Sequence, residues 1–267
     1  TFMKQKLVEV DLFFGRIING IGYNKNKKLI EIIMQNIENK VAYITGGTKG
    51  IGLGIAKALV DNGVKVAISG RKLADVEIAK QLLGNENVLA IQSDVRNFED
   101  EQNAVQLIIS TFGQLDIVIA NAGLGKFAPI DEMSLEDWNA MIDTNLTGVF
   151  HTLKSSVEAL KQTKGYYISI ASLAGTNFFA NGAGYNASKF GVVGFTQAAM
   201  LDLRNYEIKC TTIMPGSVTS HFNEHVPNEE DVWKIQPEDL GQMVVDLLQM
   251  NPNVLPSKIE VRPTKTR

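Results

Sequence analysis

The run from Val41 to Gly52 limits this chain more than any other. Val41-Ala-Tyr-Ile-Thr45 is a short apolar stretch of β-branched and aromatic residues, the pattern of a strand buried on both faces of a parallel sheet. It passes directly into Gly46-Gly-Thr-Lys-Gly-Ile-Gly52. The next segment, Leu53 to Asn62, repeats Ile55, Leu59 and Val60 at helical spacing and stops at Gly63. Strand, glycine-rich turn and helix in that order is the context of a phosphate-binding site. The glycines let backbone N–H groups approach a pyrophosphate, which the helix N-terminus then stabilises. The competing reading is an ordinary tight turn.

The alternation continues. Strands are expected at Val64–Ser69, Val88–Gln92, Leu115–Ala120, Gly165–Ile170, Ile208–Met214 and Lys258–Arg262. Helices are expected at about Phe98–Phe112, Tyr185–Leu203 and onward from Pro237, where proline and acids occupy a first turn. A further helix from about Leu135 to Lys161 is interrupted near Thr144-Asn-Leu-Thr-Gly148. This predicts an α/β fold, a Rossmann-type doubly wound parallel sheet of about seven strands with helices on both faces, in a single domain. Ligands of such a sheet lie beyond the carboxyl ends of the strands, where Gly46, Arg71, Asp94 and Asn121 fall.

The second strand ends in Gly70-Arg71, so the acid that would bind an adenosine ribose hydroxyl is missing. A 2′-phosphate would instead meet the guanidinium fork of Arg71, with Lys49 in the glycine turn as a second cation. The expected cofactor is therefore NADP(H) rather than NAD; two solvated surface bases are the alternative.

The fifth strand leads to Ser172, and Tyr185 and Lys189 follow at a spacing of four. On a helix that spacing puts phenol and ammonium on one face, and a nearby ammonium lowers a phenol pKa from its usual value near 10. Such a tyrosine serves as proton donor and acceptor. The motif alone is weak, because Tyr23 and Lys27 repeat it in a polar stretch. Asn145, read by itself, is more readily a mid-helix structural residue than a functional one.

Composition narrows the partners. A formal net charge of −3 gives no electrostatic reason to expect nucleic acid or an anionic membrane. The single cysteine, Cys210, excludes an internal disulfide framework and a cysteine-based zinc site, and His151, His221 and His225 lack metal-ligand company, so no metal is expected. No run of 18 or more apolar residues is present, and the expected setting is cytoplasmic. Residues 1–38 are expected to form an N-terminal extension, with Met34 the candidate natural start, and residues 39–267 the domain. An amphipathic helix packing on the domain or on a second subunit is the alternative for the extension.

Taken together, these motifs resemble the short-chain dehydrogenase/reductase superfamily in its compact, non-extended branch, over about residues 39–267. Thr45-Gly-x-x-x-Gly50-x-Gly52 is similar to that branch's glycine motif, Asp94-Val95 to its adenine-contacting pair, and Asn121-Ala-Gly123 to its Asn-Asn-Ala-Gly motif with Ala120 replacing the first Asn. Pro215-Gly-Ser-Val-Thr-Ser220 resembles its Pro-Gly motif, with Ser220 where Thr is commoner. Ser172 stands thirteen positions before Tyr185, the family's usual gap, whereas the equivalent position for Tyr23 is Val10. The resemblance implies a tetrad of Asn145, Ser172, Tyr185 and Lys189, with the Asn145 backbone holding a water in a proton relay. It implies cofactor contacts from Gly46, Thr48, Lys49, Gly50, Ile51, Gly52, Arg71, Asp94, Val95, Asn121, Ala122, Gly123, Tyr185, Lys189, Pro215, Gly216, Val218 and Ser220. It also implies a mobile lid in His221–Trp233 and a homodimer or homotetramer through the helices around 135–161 and 185–203.

The activity implied is reduction of a small ketone or aldehyde, or oxidation of the matching alcohol. Phe127, Phe178 and Phe179 are expected to line an apolar pocket, with aromatic core packing equally in keeping with the adjacent pair. The rivals are a 3-oxoacyl-carrier-protein reductase, an epimerase or dehydratase of the extended branch, and a non-catalytic NADP-binding redox sensor. Glycine spacing and the short C-terminal region oppose the epimerase, and a complete tetrad opposes the sensor.

Overall fold

In the computed structural model, residues 35–265 are described except 85, 221, 223 and 224. The expectations about Met34, the segment before it, the Tyr23–Lys27 pair and His221 lie outside the described residues. The chain divides into two compact units, one of residues 37–248 and 255–267, the other of residues 1–36 and 249–254. Within the described part of the second, the Gln35 N–H donates to the Gln249 carbonyl at 3.0 Å.

The main unit is built on β1 (Val41–Thr45), β2 (Lys65–Gly70), β3 (Val88–Gln92), β4 (Ile117–Ala120), β5 (Tyr166–Ile170), β6 (Lys209–Pro215) and β7 (Lys258–Val261). All pair in parallel, in the order β3-β2-β1-β4-β5-β6-β7. The connections are α1 (Gly50–Asp61), α2 (Leu73–Leu83), α3 (Phe98–Phe112), α4 (Leu135–Ile142), α5 (Gly148–Thr163), α6 (Ala183–Leu203) and α7 (Pro237–Gln249). The Rossmann-type sheet predicted from the alternation is thus the observed one. Its order reverses between β1 and β4, which opens a ligand crevice at their carboxyl ends.

Strand alternation sends side chains to two cores. Ala42 and Ile44 of β1 join Ile55, Leu59, Val76, Leu240 and Val244 from α1, α2 and α7. Val41 and Tyr43 join Val105, Ile108, Leu153, Leu160 and Val192 from α3, α5 and α6. Fully burying a side chain of this kind contributes about 1.5–3 kcal/mol, and the one hydroxyl that β1 buries before Thr45, that of Tyr43, donates to Glu101 at 2.8 Å.

Helix ends follow local chemistry. Asn97 caps α3 by accepting from the Glu99 N–H, Ser134 caps α4 by accepting from the Asp137 N–H, and Gly113 closes α3 in the left-handed region. α2 was not anticipated from the pattern, although Val76, Ala79 and Leu83 form its buried stripe; exposed charges around them mask the period. α1 begins at Gly50, three residues earlier than its apolar spacing shows, because the glycines belong to its first turn. The interruption between α4 and α5 is a π-helical turn, Asp143–Thr147, a device frequent at functional sites.

α1 and α7 cross closely. A Cβ on Gly54 would lie 2.6 Å from the Pro237 carbonyl carbon, and one on Gly241 would lie 2.6 Å from the Gly54 oxygen. No side chain fits at either position.

Candidate active site

At the end of β1 the chain turns under itself. Gly46 and Gly50 adopt φ of 65° and 53°, the left-handed region that favours glycine. A Cβ on Gly52 would lie 2.4 Å from the Gly46 oxygen and 2.5 Å from Asn121 Nδ2. Asn121 fastens this turn to β4: its Nδ2 donates to the carbonyls of Thr45 (2.9 Å) and Gly46 (3.1 Å). The Thr45 hydroxyl in return accepts from the N–H groups of Asn121 (3.1 Å) and Ala122 (3.2 Å). Asn121 and Ala122 are therefore holding the turn as well as lining it. No side chain caps α1 at Lys49, unlike α3 and α4. Its first N–H groups have no side-chain partner at the cap, which is what a phosphate requires.

The adenosine side is outlined by Gly70, Arg71 and Asp94. A Cβ on Gly70 would lie 2.9 Å from Thr48 Cγ2, so a side chain there requires the Thr48 side chain to move. Arg71 and Lys49 are exposed. Asp94 is gripped by Arg96 Nε at 3.0 Å to both carboxylate oxygens, and this hydrogen bonding holds its carboxyl below the usual range. Val95 is buried against Gly148, its carbonyl 2.9 Å from His151 Nδ1.

The four residues of the expected tetrad converge beyond β4 and β5. Asn145, fully buried in the π turn, accepts the Leu124 N–H at 2.8 Å and donates to the Leu124 carbonyl at 2.8 Å and Ser188 Oγ at 3.0 Å. Leu124 and Ser188 were invisible to sequence reading, because only the fold brings them to Asn145. Ser172 Oγ accepts the Ala174 N–H at 3.1 Å and reaches the Pro215 carbonyl at 3.5 Å. Pro215-Gly216 is thereby set beside the serine, with the Gly216 N–H donating to the Val261 carbonyl at 2.8 Å. Val218 forms a parallel bridge to Ile235, and Ser220 Cβ lies 3.3 Å from where Gly50 would carry a Cβ. Lys189 donates to the Ile170 carbonyl at 3.0 Å, and its ammonium lies 3.6 Å from the point where Gly123 would carry a Cβ.

Burial sets the electrostatics. The Tyr185 phenol is pushed up to about 12 by loss of solvent, with a hydrogen bond to Ser172 pulling the other way. Lys189 is lowered to about 8 by the same desolvation. The expected lowering of the phenol by the ammonium is not what the geometry gives. Lys189 Nζ is turned to Ile170 and stands 5.8 Å from the Tyr185 ring centroid, so burial dominates. The phenol is a protonated donor at neutral pH.

Aromatic rings close over it. Phe127 stands edge-on to Tyr185 at 5.5 Å, and Phe222 lies against Tyr185 at the same distance. Phe179 pairs with Phe127 at 5.8 Å. Phe178 does not line this pocket: it is 83% exposed and stacks on Phe190 at 5.1 Å. Neighbours in sequence on an extended loop point to opposite sides, so only one of the pair could enter.

A family model described as short chain dehydrogenase matches residues 40–231. The chain belongs to the short-chain dehydrogenase family. An uncharacterized oxidoreductase of Staphylococcus aureus strain USA300 is 32% identical over 231 residues, covering 86% of this chain and 100% of the relative. One from Staphylococcus saprophyticus is 33% identical over 238 residues, with the same coverage of each chain. Among solved structures, an alcohol dehydrogenase from the archaeon Thermococcus sibiricus complexed with 5-hydroxy-NADP superposes with a TM-score of 0.80 at 29% identity, over 85% of this chain and 98% of its own. A 3-ketoacyl-(acyl-carrier-protein) reductase from Brucella melitensis complexed with NADH gives 0.78 at 26%, over 84% and 97%. This short-chain dehydrogenase is accordingly an oxidoreductase of a family that uses nicotinamide cofactors. No described helix is long and apolar enough to cross a membrane.

Proposed function

We propose that this short-chain dehydrogenase reduces a ketone or aldehyde with NADPH, or oxidises the matching secondary alcohol with NADP⁺. The observation that carries the reading is the convergence of Tyr185, Ser172, Lys189 and Asn145 beside the glycine cradle at the sheet's reversal. The cradle fits a dinucleotide, because its two left-handed glycines, the uncapped helix α1 and the side-chain-free Gly52 leave N–H groups and room where a pyrophosphate belongs. Gly46, Thr48, Gly50, Ile51 and Gly52 would hold the phosphates, and Asp94 and Val95 the adenine. Asn121, Ala122, Gly123, Pro215, Gly216, Val218 and Ser220 would hold the nicotinamide half. The bound cofactor supplies or accepts the hydride.

The chain's own residues do the rest. Ser172 donates to the substrate oxygen and stabilises the charge that develops there. Tyr185 donates its proton to that oxygen, a role its high phenol pKa allows across neutral pH. Lys189 orients the cofactor ribose and takes part in the proton relay. The Asn145 side chain is fully engaged by Leu124 and Ser188, so its part in the relay falls to its backbone. Choice of NADP over NAD rests on Arg71, Lys49 and the absence of an acid at Gly70.

We also propose a homodimer or homotetramer through α4, α5 and α6, which expose Leu135, Phe150 and Leu201, in the cytoplasm. Light scattering tests the assembly. The reaction is tested by following NADPH and NADH oxidation against a carbonyl panel. NADPH-dependent turnover of one or more ketones or aldehydes is expected; oxidation of neither cofactor with any of them would leave the redox-sensor reading in its place.

A further inference from the structure

The walls around the Tyr185 phenol carry a second message. Three loops, following β4, β5 and β6, each contribute one phenylalanine: Phe127, Phe179 and Phe222. Phe127 meets Tyr185 at an interplanar angle of 72° and Phe222 at 61°, both edge-to-face, and meets Phe179 at 58°. The floor is Met141 and Ala174, with Leu124 and Met133 packed on it. Even the absent side chain of Gly125 serves this closure, since a Cβ there would lie 2.4 Å from Phe222 Cζ. The polar group that reaches the phenol is Ser172, and none of these walls bears a charge or a hydroxyl.

Such a lining discriminates in two ways. The rings offer no hydrogen-bond partner to the hydroxyls of a polyhydroxylated carbonyl, although the outer faces of Phe127 and Phe179 are exposed. A flat ring gains edge-to-face contacts that a saturated ring of the same size cannot make, because they depend on the aromatic quadrupole. The site already accepts one aromatic ring in this geometry, that of Phe222 from the segment after β6.

We propose that the substrate is a small, uncharged aryl ketone or aldehyde, its ring held edge-on by Phe127 and Phe179 where Phe222 now covers the phenol, with Phe222 as the gate. The proposal rests on the carbonyl-reductase reading above and narrows it. The carbonyl carbon receives a hydride with its electron pair from NADPH, the C=O π pair passes to oxygen, and oxygen takes the Tyr185 proton. The products are the arylcarbinol and NADP⁺, and the phenol is reprotonated from water.

The test compares acetophenone, cyclohexyl methyl ketone and glyceraldehyde as substrates of the wild type, Phe127→Leu and Phe222→Leu. Alongside, calorimetry measures the binding of 1-phenylethanol and 1-cyclohexylethanol to the full-length protein in the presence of NADP⁺. Leucine keeps both positions apolar, and thermal melts confirm that each variant folds. The expected kcat/KM for acetophenone exceeds that for cyclohexyl methyl ketone by at least about tenfold, with a preference reduced to within about threefold in Phe127→Leu. Phe222→Leu, which removes the displaced ring and not the substrate's partners, is expected to keep the preference and to lower KM for both ketones. Equal turnover of the aryl and cyclohexyl ketones, or a preference untouched by Phe127→Leu, overturns the proposal. If no ketone is turned over, the reductase reading fails and binding alone decides: tighter binding of 1-phenylethanol that Phe127→Leu abolishes sustains the aryl site, and equal binding of the two alcohols overturns it.

Discussion

The two ends of the crevice are built from different materials. At the phosphate end the working parts are backbone: left-handed glycines, an uncapped helix and carbonyls tied by Asn121. The cations there, Lys49 and Arg71, lie in solvent. At the chemical end the working parts are side chains taken out of water, with Asn145 and Lys189 buried and the phenol shielded by Phe127 and Phe222. A backbone cradle recognises a shape that recurs in every dinucleotide. Buried side chains set proton affinities, and so fix what reaction is possible. The first end should therefore answer to mutation in cofactor affinity, the second in rate and stability.

Four changes would break or sharpen that division. The largest effect is expected from Tyr185→Phe, which removes the proton donor: kcat falls about 10²–10⁴-fold. Cofactor affinity by fluorescence titration stays unchanged, and near-normal turnover would remove Tyr185 from the mechanism. Asn145→Ala leaves the Leu124 N–H and carbonyl without their partner at about 1–3 kcal/mol each. At about 2–4 °C per kcal/mol for a chain of this size, the melting temperature drops by several degrees; an unchanged melt would show that the site is less rigid than its hydrogen bonds imply.

The third change uses pH. Lys189 is lowered from 10.5 to about 8 when folded, so between those values the unfolded chain binds the extra proton and this group's contribution to stability rises with pH. Below about 8 both states carry the charge and its burial cost is at its full value. Lys189→Met removes that cost, so the difference in denaturation free energy between wild type and variant should shift in favour of wild type from pH 8 to 10.5. The shift is up to roughly 3 kcal/mol at 1.36 kcal/mol per unit. A pH-independent difference would mean that the ammonium is solvated. The smallest effect is Arg71→Ala, which leaves the melt unchanged and weakens NADPH by about ten- to a hundredfold, the worth of a charge-assisted hydrogen bond to phosphate. Equal loss for NADH would show that Arg71 does not select.

The same division explains what the sequence disclosed. The phosphate end was legible because glycine at 46, 50 and 52 encodes a local conformation, and strands β1 and β3 could be bounded to the residue from their apolar runs. At the chemical end, spacing identified Ser172, Tyr185 and Lys189 as a group. Their proton affinities were misjudged, because an i, i+4 spacing states that two side chains share a helix face but not where their polar ends turn. Lys189 turns to Ile170, a partner set by tertiary packing. Phe178 was misassigned for the same reason, and α2 was hidden by its charged outer surface. Asn145 by itself suggests a structural residue, and its side chain carries a structural task in full.

The crossing of Gly54 and Gly241 bears on engineering. With no room for a single carbon at either position, α1 cannot be shifted without moving α7, so the glycine turn that opens α1 has a fixed address within the fold. Attempts to retarget the enzyme to another dinucleotide have little to gain from redrawing the backbone of the turn. The adjustable letters are the exposed side chains at Lys49 and Arg71.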